Sequence, residues 1–234
     1  MKNVRLFETT SAYENANLDY PNLSLIEDGN KVKSVLEDPY VDLGLSVKWM
    51  KCNIGAEKET DYGLFFQWGD TVGYDEDSAA AHSTWSTCPG NGGNSSYDSA
   101  ALTTWNTANL TNGVLNTSVD AAYVHTNGKA KMPTKAQFEE LRSGTNNEWT
   151  TINGVAGRKF TNKTDSAKYI FIPSTGYFDS GSRYGEGSSG YVWSSSRHII
   201  YADDAYWIIF NGNGVYTDFA QGRERAMSVR GVLV

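Results

Sequence analysis

The sequence predicts an α+β domain, and three observations carry that prediction. Residues 134–143 hold a complete set of helix start and stop signals. From residue 154 onward the chain reads as short strands separated by glycine-rich turns. The 14 Tyr and 7 Trp are interleaved with 23 Gly and many Ser, Thr and Asn, which suits short strands, frequent turns and large rings as core pieces. Helices early and strands late make α+β, since α/β chains alternate the two.

Taken in order, residues 1–39 are acidic, Asn-rich and almost free of glycine. A helix is expected over 11–18, with Ser11 as cap and Glu14 three residues on. Tyr20-Pro21-Asn22 breaks it, and Leu23-Ser24-Leu25-Ile26 reads as a short strand. The segment is either an extension packed on the domain or an attachment segment to a larger assembly. The compact domain is expected over 40–234. Residues 41–49 alternate apolar and small or polar side chains, the period of one half-buried strand. A second strand is expected over 63–68, closed by Gly69-Asp70. Residues 71–117 form a long Ser/Thr/Asn/Gly/Ala stretch, for which Trp85, Tyr97 and Trp105 are candidate pins.

A weaker helix is expected over 119–124. The strong one follows Pro133, with Thr134 as N-cap, Gln137 in the capping-box position and Gly144 as stop. Phe138 and Leu141 fall on one face and should dock on the sheet. Further strands are expected over 155–161, 169–172, 191–195, 205–210, 215–219 and 227–232, with Asn211-Gly212-Asn213-Gly214 as a hairpin turn.

The net charge of −7 and the lack of a basic run argue against a nucleic-acid partner. No stretch has the length and apolarity of a transmembrane helix, so no membrane insertion is expected. The first 22 residues contain no apolar core of a secretory signal. The expected location is one reached without a secretory signal, for example inside a virion, with the cell surface as the alternative. Cys52 and Cys88 are too few for a disulfide framework. They could bridge in an oxidising setting, but two buried free thiols are the expected state.

Several blocks carry a resemblance. They are Val41-Asp42-Leu43-Gly44-Leu45-Ser46-Val47-Lys48-Trp49, Cys52-Asn53-Ile54-Gly55-Ala56, Tyr62-Gly63 and Gln67-Trp68-Gly69-Asp70. Met132-Pro133-Thr134-Lys135-Ala136-Gln137-Phe138-Glu139-Glu140-Leu141, Ile172-Pro173, Gly176-Tyr177, Gly190-Tyr191-Val192-Trp193-Ser194-Ser195-Ser196 and Ser228-Val229-Arg230 complete the set. Together they resemble a domain common in gut-bacterial surface proteins, first catalogued as a major paralogous family of a rumen fibre degrader. The resemblance covers roughly 41–234 and implies a C-type-lectin-like fold of the formylglycine-generating-enzyme branch. The same scaffold is similar to the variable proteins of diversity-generating retroelements, found in phages and bacteria. There the segment between the Trp-Ser-Ser-Ser block and the final Ser-Val-Arg strand is the diversified ligand-binding region. Residues 20–28 also resemble a short element of structural proteins in phages of gut bacteria. Gly231 departs from the pattern, in which proline is usual. The resemblance implies a receptor-binding or variable protein; a structural or adhesin domain of a bacterial surface protein is the alternative.

Catalytic chemistry finds no foothold in the sequence. The Glu-Pro-Asn or Gln-Pro-Asp and Trp-Asn-Asp triplets of calcium-dependent lectins are missing, and Asp203-Asp204 alone falls short of the roughly six to eight oxygens such an ion needs. The cysteine pair of formylglycine-generating enzymes has no counterpart after Cys88. His82, His125 and His198 stand in no metal-ligand spacing, and Ser194, Ser195 and Ser196 read as hydroxyls bonded to backbone in a packed turn. No catalytic residue, metal or cofactor is expected. A recognition surface is expected instead within 197–225, facing a cell-surface protein or glycan.

If Tyr206, Ile208 and Phe210 face the core beside Trp193, then Trp207 and Ile209 point outward; the alternative is a strand buried on both faces. Grouped with them are Arg197, His198, Ile200, Tyr201, Asp203, Asp204, Tyr216, Asp218, Phe219, Gln221 and Arg223, a mixture typical of binding hot spots.

Overall fold

The structure is a computed structural model that describes residues 4–7, 23–28, 31–36 and 38–233, with side chains from 38 onward. The chain divides into two compact units, Met1–Pro39 and Tyr40–Val234, at the position where the composition changes.

In the first unit, β1 (Val4–Phe7), β2 (Leu23–Asp28) and β3 (Lys31–Leu36) form an antiparallel sheet in the order β1-β3-β2. The strand read at 23–26 is part of β2. The helix expected over 11–18 lies outside the described residues.

The second unit is α+β, mostly strands with a few short helices. Residues 41–49 do not form the single strand their alternation predicts. They contain β4 (Tyr40–Val41), a turn, and the start of β5 (Trp49–Asn53), which pairs back on β4. Gly44 takes a left-handed φ of 74°, and Asp42 Oδ1 accepts its N–H at 2.9 Å, which turns the chain. The alternation still reports burial: Val41, Leu43 and Trp49 are inside, while Asp42, Gly44, Ser46 and Lys48 are exposed. After β6 (Phe65–Phe66) a short 3₁₀ turn covers Ala79–His82.

The long stretch 71–117 holds an unexpected helix, α1 (Ser99–Asn109). Its Ser, Thr and Asn content gives weak propensity, and Leu102 is its one fully buried side chain. Two local devices compensate. Asp98 caps it by accepting from Ala100 N and Ala101 N at 3.0 Å each. Buried Asn91 organises the approach, donating to the carbonyls of Trp85, Asn94 and Ser96 and accepting from Asp98 N. Trp105 then pins the helix against Gly69 and Gly90, where an added Cβ would stand 2.6 and 2.4 Å from the indole. Trp85 and Tyr97 pack on each other at 5.7 Å.

The hairpin pair β7 (Leu110–Thr111) and β8 (Val114–Leu115) follows, then α2 (Ala121–His125), somewhat later than expected, and β9 (Ala130–Lys131). The strong helix α3 (Lys135–Gly144) has both halves of its capping box. Phe138 and Leu141 are buried, with Phe138 5.5 Å from the Trp49 ring. Gly144 is the last helical residue, so its role is not the expected stop: a Cβ there would lie 2.4 Å from Leu45.

β10 (Thr145–Ile152), which the polar sequence hid, pairs with β11 (Val155–Asn162), and β11 with β12 (Tyr169–Pro173). β13 (Tyr177–Asp179) and β14 (Ser182–Tyr184) make a small hairpin. The largest sheet is built on β15 (Ser189–Arg197) and β16 (Asp204–Asn211). β17 (Gly214–Tyr216) and β18 (Ala220–Gly222) pair in succession along β16, with the register shifting by one residue between them. The strand expected over 215–219 is therefore broken at Tyr216.

The strand expected over 227–232 is likewise two, β19 (Met227–Ser228) beside β15 and β20 (Arg230–Leu233) between β5 and β9. Buried Arg230 locks this end, donating to Asn53 Oδ1 and to the carbonyls of Met50 and Phe171 at 2.9 Å each. Gly231 admits the close approach of β5, since a Cβ would meet the Met50 sulfur at 2.4 Å. Both cysteines are free thiols, Cys52 half-buried and Cys88 buried.

Candidate functional site

The two faces of β15 and β16 serve different cores. Ile208 and Phe210 pack with Val192, Phe138, Leu141 and Phe160 on one side. Ala205, Trp207 and Trp193 pack with Phe66, Trp68 and Met227 on the other. At Trp207 and Ile208 the strand is thus buried on both faces, and the outward placement of Trp207 is corrected: it is 5% exposed. Trp193 is buried as expected, but beside Trp207 at 6.1 Å rather than beside Ile208 and Phe210, with its indole N–H donating to Phe66 O at 2.9 Å. Tyr206, expected inside, is half-buried, and so is Ile209, expected outside.

Arg223 is also removed from the surface. It is fully buried, with its guanidinium 4.9 Å from the Trp68 ring and 4.4 Å from Trp105. It donates to Asn106 Oδ1 at 2.7 Å and to Pro89 O at 3.0 Å. Burial lowers its pKa to about 10, opposed by the neighbouring Cys88. Burial likewise pushes the Cys88 thiol up to about 12, so it stays protonated and unreactive. Arg223 ties the 71–117 stretch to the base of the β15–β16 connection, where Asn106 Nδ2 also donates to Ala202 O at 3.2 Å.

That connection is the protruding feature. His198 N donates to Asp204 O at 2.9 Å, closing the loop. His198 Nδ1 accepts from Tyr201 N at 3.1 Å and Ile200 N at 3.4 Å, which assigns the ring proton to Nε2. The imidazole stacks on Tyr201 at 5.2 Å and leans on Tyr206 at 5.2 Å. Arg197 Nη1 adds a bond to Tyr201 O at 3.4 Å. The outcome is a tip on which Ile199 and Ile200 keep 77% and 71% of their surface in water, with Tyr201 exposed beside them.

From the tip a continuous path of contacts runs through Tyr206 to Lys135, whose ammonium lies 5.2 Å from the Tyr206 ring. Lys135 bonds Glu139 and reaches Asp218 at 3.2 Å; these partners, Glu139 first, hold its pKa above the ordinary lysine range. Asp203 and Asp204 stand half-buried at the foot of the loop, and burial, then Asp203, raises the Asp204 pKa. Tyr216 and Phe219 are exposed and meet edge to face at 6.1 Å. Gln221 is half-buried and accepts from Arg225.

The structure therefore gathers Arg197, His198, Ile200 and Tyr201 on one loop, with Asp203 and Asp204 at its foot and Asp218 at the end of the contact path. Sequence reasoning missed three participants. Ile199 had a signal, as one of three consecutive large apolar residues among polar neighbours. Tyr206 was assigned to the core, and Lys135 reaches the site from α3, far away in sequence. Among the described residues no group of three His, Cys, Asp or Glu side chains could hold a metal ion, and no helix is long and apolar enough to cross a membrane. Comparison with protein-family models, curated proteins and solved structures found no match.

Proposed function

We propose that this chain is a non-enzymatic ligand-binding protein that displays a recognition surface on a C-type-lectin-like scaffold, as a phage or retroelement variable protein does. The observation that carries the reading is the β15–β16 tip. Two isoleucines and a tyrosine are held out in water by a loop whose own hydrogen bonds and stacked rings preorganise it. Exposing such side chains costs solubility and gives nothing to the core, whereas a preorganised apolar tip with Arg197, Asp203 and Asp204 near it is suited to docking on a partner. The ligand class is a cell-surface protein or glycan, with residues 1–39 as the attachment segment to a virion or other assembly. No nucleic acid, metal or cofactor has a part in this reading.

The test is cell binding. Fluorescently labelled protein is titrated onto a panel of intact gut bacteria, beside a variant carrying Ile199→Ser, Ile200→Ser and Tyr201→Ser. The reading expects saturable binding to some strains and a loss on the order of 2 kcal/mol, roughly thirtyfold, in the variant. Equal binding by the two proteins would overturn it.

A further inference from the structure

A second surface lies on the other face of the sheet, apart from the tip. Tyr191 on β15, Ile209 on β16 and Tyr216 on β17 are direct cross-strand partners, so their side chains share one face. Tyr177 on β13 extends the row, 4.7 Å ring to ring from Tyr191, and Tyr184 on β14 stacks on Tyr177 at 5.5 Å. Phe219 closes the far end against Tyr216. Tyr191, Ile209 and Tyr216 span three adjacent strands of the large sheet, about 10 Å at the ~4.8 Å spacing of neighbouring strands, and the rings of the separate β13–β14 hairpin lengthen the row. Tyr184, Tyr216 and Phe219 are exposed, and Tyr177, Tyr191 and Ile209 half-exposed.

Trp207, on the same face of β16 as Ile209, borders the row and anchors it to the second core, touching Tyr177 and Tyr191 at 6.1 and 5.2 Å. Glycines flank two of the rings: a Cβ at Gly185 would stand 3.2 Å from the Tyr191 ring, and one at Gly214 3.3 Å from the Tyr216 hydroxyl.

We infer that this row is a binding site for a neutral polysaccharide laid across the strands. A sugar ring offers a face of C–H groups with partial positive charge, and an aromatic face carries the complementary negative potential. The phenol hydroxyls and the Arg225, Asp179 and Gln221 cluster beside Tyr177 supply the polar contacts that sugar hydroxyls need. Charge decides against an anionic chain or lipid surface. Arg225 is paired with Asp179 at 2.9 Å and Arg183 with Glu76 and Glu186, while Arg158, beside Tyr216, directs its guanidinium to Asn147 Oδ1 and the Asn211 carbonyl, so these three cations are already engaged. The extended row suits several consecutive sugar units rather than one. On β16, Ile209 stands four residues from Ala205, the partner of Arg197, about 13 Å by strand rise, and no residue of the row lies in the 198–203 loop, so this site can be tested apart from the tip.

Native electrophoresis through gels cast with soluble starch, galactomannan, xyloglucan, arabinoxylan or yeast mannan tests the inference. The protein should be retarded by at least one of them. Tyr184→Ala and Tyr216→Ala, both at exposed positions, should each weaken that retardation by roughly tenfold or more, while Tyr184→Trp retains it. The tip variant should migrate like the parent, which separates failure of this site from failure of the tip. Retardation by none of the five polysaccharides, or equal retardation of parent and alanine variants, overturns the inference.

Discussion

Trp207 and Ile200 stand seven positions apart on one loop and strand, yet 5% of one is in water and 71% of the other. Side-chain type does not separate them, since indole and isoleucine are both large and apolar. What separates them is cover supplied from elsewhere. Trp68 arrives with the N-terminal part of the domain and Trp105 with α1, and together they roof the second core and sandwich Arg223. Among the described residues Ile199, Ile200 and Tyr201 stay exposed, and His198 bonds the Ile200 and Tyr201 amides within the loop, while Asn106 and Arg223 hold only its base at Ala202 and Asp203. A framework and a display surface can thus share one short segment, provided that remote residues cover only the framework.

The largest test of that contrast lies in the paired tryptophans. Trp193→Ala should cost roughly 3 to 5 kcal/mol in denaturant unfolding, because it removes a wholly buried ring and its bond to Phe66 O. Trp207→Ala should fall in the same range. A loss below about 1 kcal/mol for Trp207→Ala would return it to the surface.

Arg223→Met sharpens the comparison from the side of the tie. It keeps much of the stem but leaves Asn106 Oδ1 and Pro89 O without their donor, at a cost of about 3 kcal/mol. Amide exchange should speed up in 85–110 and in the β15–β16 loop together. Faster exchange in one segment alone would show that the two are not coupled through this side chain.

Glu224 gives a pH signature to the framework. Its carboxyl is buried, folds back over Gly222, and has one oxygen without a hydrogen-bond partner. Burial raises its pKa from 4.5 to about 7, with Arg225 lowering it and Asp179 and Asp204 raising it. The folded state therefore holds a proton that the unfolded chain has released between those two values. Its contribution is full below about pH 4.5 and is lost as pH rises through 7, by no more than about 3 kcal/mol. Glu224→Gln should raise stability at pH 8 and flatten the pH profile between 5 and 8. An unchanged slope would show that Glu224 is not its source.

The smallest effect concerns the first unit. A chain starting at Asp38 should keep the aromatic circular-dichroism spectrum of the whole protein, because the two units are separately compact. A molten product would mean that the segment completes the core.

The sequence revealed those features that are set locally. The capping box of α3 is written in Thr134 and Gln137, and the hairpin in Asn211 and Gly214. Alternation over 41–49 named the buried side chains correctly while missing the turn at Gly44, because burial follows the side-chain period whether or not the backbone pairs. What stayed hidden depends on distant partners. α1 is held by Asn91 and by glycines at 69 and 90, and its own residues argue against a helix. The same holds at the site: the loop 197–204 is legible as polar and aromatic, whereas the burial of Arg223 and the reach of Lys135 are decided by residues more than 60 positions away, and Trp207 is covered by the rings of Tyr177, Tyr191 and Trp193 from other strands.

The central claim, that framework and display surface share one short segment, is tested most directly by two denaturation midpoints measured side by side. Trp207→Ala should lower stability by about 3 kcal/mol or more. The Ile199→Ser, Ile200→Ser, Tyr201→Ser variant should stay within about 1 kcal/mol of the parent. Similar losses in both would mean that the tip is part of the core, and the contrast between the two regions would fail.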